Sequence, residues 1–82
     1  MTFVLLGTEG CHLCNEAEKV VAVALNGRQI PVYLDDISAS AEWIESYGLR
    51  IPVLINETSG DELDWPFTEN AVIEFVEKTL QG

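Results

Sequence analysis

Hydrophobic and polar positions recur along this chain with two different periods, and each change of period marks an element. Residues Thr2 to Leu6 are β-branched, aromatic or aliphatic, the pattern of a buried strand, and Gly7 breaks it. From Leu13 onward the apolar positions Leu13, Ala17, Val20, Val21, Ala24 and Leu25 fall at helical spacing, and Asn26 with Gly27 supplies a stop. Ile30 to Leu34 alternates as a second strand, and Asp35 with Asp36 is predicted to turn the chain. Ser38 or Ser40 can cap a second helix through Trp43, Ile44 and Tyr47, closed by Gly48. The stretch "IPVLIN" reads as a third strand, "ETSGDE" as a hairpin turn, and Leu63 to Trp65 as the start of the partner strand. Thr68 then caps a last helix with Val72, Ile73, Val76 and Leu80 on one apolar stripe.

The order βαβαββα predicts an α/β fold with a four-stranded mixed sheet and three helices. Its first βαβ unit should be a right-handed parallel crossover, and the later hairpin should add antiparallel strands. No repeat, linker or low-complexity tract interrupts residues 1–82, so a single domain is expected over the 82 residues.

Charge narrows the partners. Fourteen acidic residues face only four cations, Lys19, Arg28, Arg50 and Lys78, for a formal net charge of −10. Four scattered cations make no basic patch, so nucleic acid is not an expected partner, and an anionic membrane surface should repel the chain. The apolar run Phe3 to Leu6 is too short for a signal or spanning segment.

Chemistry concentrates in "TEGCHLCNEAEK", residues 8–19, which holds both cysteines and the one histidine. Three explanations compete: a redox pair, a metal site, or two small buried hydrophobes. A ring closed over two intervening residues gains only about 2 kcal/mol from loop closure, so stapling is a weak motive. Two cysteines in such a pair fit a reducing, cytoplasmic compartment better than a secreted framework. At a strand-to-helix junction the two sulfurs share one helix face and can close a small ring. The first also meets unpaired N–H groups and the positive end of the helix dipole, which favour thiolate. Cys11 is therefore expected to be the nucleophile and Cys14, a turn deeper, the resolving thiol. His12, when cationic, would lower a neighbouring thiol pKa, whereas Glu9, Glu16 and Glu18 oppose this; an ordinary exposed side chain accounts for His12 equally well.

With "GCHLC" after the first strand, "RIPVL" before the third and this element order, the chain resembles the small glutaredoxin-like proteins of the thioredoxin fold. The resemblance implies thiol–disulfide oxidoreductase activity on protein or small-molecule disulfides, with no bound cofactor and glutathione as reductant or substrate. It implies that Pro52 is cis and faces the cysteines, and that the backbone of Ile51 pairs with substrate. It also carries the loop before the last helix close to the pair, so Trp65 would border the site. Trp65 and Phe67 could instead plug the core, which suits Phe67 better. The N–H groups at Thr68 and Glu69 begin a helix and can hold a carboxylate. Arg50 either contacts a glutathione carboxylate or covers apolar surface with its stem.

Departures from the family pattern weaken the glutathione expectation. His12 and Leu13 replace the usual proline and tyrosine between the cysteines. Thr8, Glu9 and Gly10 stand where a lysine is common, and "WPFTEN" replaces a glycine pair. Two rivals remain at this level. A Cu(I)-chaperone-like module also places Cys-x-x-Cys after its first strand, but its βαββαβ order ends in a strand. A thioredoxin-fold domain that binds partners without efficient chemistry is the other. Structural zinc is weaker, with three candidate ligands where four are needed. The expectation is a monomeric, glutaredoxin-like cytoplasmic oxidoreductase serving cell redox homeostasis.

Overall fold

Phe3–Gly7 forms the first strand, β1, and its four leading side chains are all buried. Such a strand must be covered on both faces, and the computed structural model, which describes residues 2–81 with side chains through Lys78, shows how. Helix α1 spans His12–Ala24, β2 Val32–Asp36, α2 Ala41–Tyr47, β3 Val53–Asn56, β4 Glu62–Asp64 and α3 Glu69–Gln81, with a short 3₁₀ turn at Ile37–Ala39. The sheet order is β2-β1-β3-β4. β1 pairs with β2 in parallel and with β3 antiparallel, and β4 closes the β3 side as a hairpin.

Alternation along β1 divides the core. Phe3 and Leu5 pack with Ala17 and Val21 of α1 and with Val72 and Val76 of α3. Val4 and Leu6 point the other way, toward Ile37 and the partly buried Trp43 and Tyr47 of α2. Two helices therefore cover one face and one short helix the other. This is the thioredoxin-like α/β fold in the predicted element order. Leu80, expected on the stripe of α3, lies outside the described side chains.

Boundaries moved where pairing outweighs local pattern. β2 begins two residues later than its alternation suggests and ends at Asp36, because Asp35 and Asp36 pair with Leu6 and Gly7. Ile30 leaves the strand and packs against the larger core. The turn begins only after Asp36, whose carboxylate accepts the Ser38 N–H at 2.8 Å. Of the two serines, Ser40 caps α2, its Oγ accepting from the Trp43 N–H at 3.3 Å. Helix α1 ends near its predicted stop, with Gly27 at φ 82°. β4 starts one residue early, and Trp65 still donates its N–H to the Pro52 carbonyl at 3.2 Å.

Candidate redox site

The pairing register gathers the chemistry at one end of the sheet. Gly7, the last residue of β1, pairs with Asp36 at the end of parallel β2. On the other side Leu6 pairs with Val53 at the start of antiparallel β3, immediately after Pro52. Val53 pairs with Asp64, so Trp65, Phe67 and the start of α3 follow from that same end. Among the residues expected at the site, Cys11, Ile51, Pro52, Trp65 and Thr68 are all carried there by strand order.

The loop from Gly7 to α1 turns sharply, with Gly10 at φ 79°. Cys11 is the N-cap of α1 in an extended conformation, and its Sγ accepts the Cys14 N–H at 3.1 Å. Half-buried Cys11 and buried Cys14 form a disulfide with Cα atoms 5.2 Å apart, within the usual span of such bonds. His12 and Leu13, between them, are exposed.

Two supports were invisible in the sequence pattern. A Cβ on Gly7 would lie 3.1 Å from both the Cβ and the Sγ of Cys14, a tight contact that Cys14 would have to yield to by a few tenths of an ångström. Asp36 holds the loop from the other side. Hydrogen bonds from Ser38, and then from the Thr8 hydroxyl and the Glu9 backbone, keep its carboxyl below the usual carboxylate range. An aspartate followed two residues later by serine is a turn-capping signal; its reach to Thr8 and Glu9 needs the folded sheet.

The Pro52 flank is cross-tied. The Ile51–Pro52 bond is cis, as the resemblance implied, and so is Trp65–Pro66, which nothing in the sequence reading suggested. Arg50, the candidate glutathione contact, has its guanidinium engaged already. Nη2 donates to Glu62 Oε1 at 2.7 Å and Asp64 Oδ1 at 2.8 Å, and the group lies over the Tyr47 ring at 5.0 Å. The Tyr47 hydroxyl donates to the other Glu62 oxygen at 2.5 Å. That bond, followed by the one from Arg50, pulls the Glu62 carboxyl down, and the same contact with Glu62 pushes the Tyr47 hydroxyl up. Arg50 itself is raised further, by Asp64 first and Glu62 next.

Ile51 donates its N–H to the Tyr47 carbonyl at 3.0 Å. Phe67 is buried in the core, and half-buried Trp65 packs edge-on against it at 5.0 Å between centroids. Thr68 caps α3, its Oγ1 accepting from Ala71 N–H at 3.1 Å, while Glu69 puts a carboxylate in that first turn.

Comparison with known proteins decides the family. Residues 2–77 match the family model described as "Glutaredoxin-like domain (DUF836)". The chain belongs to this glutaredoxin-like family. A solved structure, the structural genomics target protein XcR50 from X. campestris, superposes with a TM-score of 0.81 at 33% identity, over 93% of this chain and 96% of that one. No match is found among curated proteins.

Within this glutaredoxin-like frame the Cys11–Cys14 pair is a thiol–disulfide redox site. The observed topology ends in α3, unlike the βαββαβ order of the Cu(I)-chaperone rival. Among the described residues no group of three or more His, Cys, Asp or Glu side chains converges on a metal position. No helix among them is long and apolar enough to cross a membrane.

Proposed function

We propose that this glutaredoxin-like protein reduces protein or small-molecule disulfides with Cys11 as the attacking thiolate and Cys14 as the resolving thiol. The observation that supports this most is the Cys14 N–H aimed at Cys11 Sγ at 3.1 Å, on a half-buried N-cap, while Cys14 is buried behind it. A hydrogen bond donated to sulfur stabilises the anion more than the thiol, and the helix terminus adds to this.

In the reduced protein the Cys11 thiolate attacks one sulfur of the substrate disulfide. A Cys11–substrate disulfide forms and the other half leaves as thiolate. Cys14, losing its proton, attacks the Cys11 sulfur, releases the second substrate thiolate and closes the Cys11–Cys14 disulfide. Two electrons have passed from the pair to the substrate. A dithiol or two monothiols must return them.

The Ile51 carbonyl beside Pro52 and the Trp65 edge would guide the substrate chain, and the α3 start at Thr68 would receive a carboxylate. With Arg50 neutralised by two carboxylates and Glu69 at the α3 start, glutathione should be a poor substrate for want of contacts. Arg50 is assigned instead to holding the Ile51–Pro52 turn.

The test is trapping. Cys11→Ser should abolish reduction of hydroxyethyl disulfide, and Cys14→Ser should accumulate a mixed disulfide on Cys11 visible as a mass increase. Retained turnover in Cys11→Ser, or an adduct on Cys14 in that variant, would overturn the assignment.

A further inference from the structure

We propose that the groove between α1 and β2 docks an extended, basic segment of the protein with which this one exchanges disulfides, an inference that rests on the redox function proposed above. β2 is the outer strand on its side of the sheet, and its free edge accepts or donates no backbone hydrogen bond among the described residues. Its Tyr33 and Leu34 are more than half exposed, at 58% and 57%. Beside Leu34 runs an apolar groove of about 320 Å³, floored by Leu5, Val21 and Leu25 and walled by Ile30 and Val32. Through Leu5, Glu18 and Leu34 it is continuous with a cleft of about 200 Å³ that reaches Gly7, Cys14 and Asp36. An apolar groove beside an unpaired strand edge thus opens into a more polar cleft lined in part by Cys14.

Shape and charge define the occupant. Unpaired strand edges recruit extended polypeptide, with backbone bonds for affinity and alternate side chains for selection. Leu34 and Asp36 pair with Leu5 and Gly7 and so share a sheet face. Asp36 is committed to its own turn and loop, and Asp35, paired with Leu6, belongs to the opposite face of the strand, so Glu18 at the groove and Asp35 across the edge are the carboxylates with no ion pair among the described residues. The cations on this helix and its end are already matched: Lys19 lies 3.8 Å from Glu16, and Arg28 lies 3.2 Å from Glu77. A segment alternating apolar and cationic residues complements this surface. A second copy of the chain does not, since each carries a net charge of −10 and would bring the same carboxylates to the contact.

The probe is a cysteine-free peptide of alternating lysine and valine, titrated into the oxidised full-length protein and followed by backbone amide NMR. An alternating glutamate and valine peptide serves as the contrast. We expect the basic peptide to shift Tyr33, Leu34 and Asp35 and the acidic one to shift nothing. The double substitution Leu34→Ser with Glu18→Gln should weaken binding at least roughly fivefold, as loss of a leucine contact covered on docking implies. Glu42→Gln with Glu45→Gln on α2 changes charge at least as much and should leave affinity within about twofold, because exposed charges beyond a Debye length are screened. Equal weakening by both pairs, shifts centred on α2, or concentration-dependent self-association through β2 would overturn the proposal. Turnover of hydroxyethyl disulfide by the unaltered protein tests the redox function separately. Turnover without peptide binding removes the docking surface alone. Peptide binding without turnover overturns the redox function and, with it, the identity of the partner.

Discussion

The two strands that flank β1 are built on opposite terms. β3, on one side, is buried along nearly its whole length and is covered by a hairpin partner. The turn that feeds it is tied by Tyr47, Arg50, Glu62 and Asp64. β2, on the other, is exposed from Tyr33 to Asp36 and its outer edge is bare. The redox pair sits between them. One flank holds the cis Ile51–Pro52 turn in place at the same end of the sheet, and the other offers surface. Rigid positioning and open access are thereby separated onto opposite edges of one strand, so each can be altered without the other.

The largest difference should appear in stability. Leu54→Ala on β3 removes a fully buried side chain from the larger core, and should cost about 2–5 kcal/mol. Leu34→Ala on β2 should cost under about 1 kcal/mol, since that side chain is mostly in water already. Urea unfolding of the oxidised variants measures both. Similar losses would erase the contrast between the flanks.

Gly7→Ala should fall between these. The new methyl would press on Cys14 from 3.1 Å, and overpacking of this kind costs about 1–3 kcal/mol. Its particular signature is that the disulfide form suffers, so the equilibrium of the pair against a reference dithiol should move toward the reduced side. An unchanged equilibrium would mean that Gly7 serves only the strand.

Arg50→Ala gives a smaller effect that depends on pH. The ion pairs are partly exposed, so a loss of about 1 kcal/mol at neutral pH is expected for the network. Glu62 has its carboxyl lowered in the folded state by Tyr47 and then Arg50. Its contribution is therefore full above the ordinary carboxyl pKa of 4.5 and disappears as pH falls through the lower folded value. Melting temperatures of wild type and Arg50→Ala should converge as pH drops from about 6 toward about 3. A gap that persists at the acid end would assign Arg50 a packing role through Tyr47 instead.

The sequence carried the elements well because they are periodic. The helical spacing of Ala17, Val21 and Ala24, and the cap-like positions of Ser40 and Thr68, depend only on near neighbours. What it did not carry depends on pairs far apart in the chain. β2 shifted because Asp35 and Asp36 find Leu6 and Gly7 across the sheet, and no local pattern encodes that register. The seat that Gly7 makes for Cys14 requires a strand end and a helix face to meet. Arg50 looked available because Glu62 and Asp64 lie beyond the hairpin turn, and only pairing of β3 with β4 brings them back. The cysteine motif itself was legible, since its chemistry resides in a short strand-to-helix junction four residues wide.

The central claim is that the helix start and the Cys14 N–H make Cys11 the thiolate. It is tested most directly by alkylating the reduced protein with iodoacetamide across pH and locating the adduct by peptide mass spectrometry. Cys11 should be modified first at neutral pH, with an apparent pKa clearly below the ordinary thiol value of about 8.5, and Cys14 only slowly. Modification of Cys14 ahead of Cys11, or a Cys11 profile at or above the ordinary thiol value, would contradict the account.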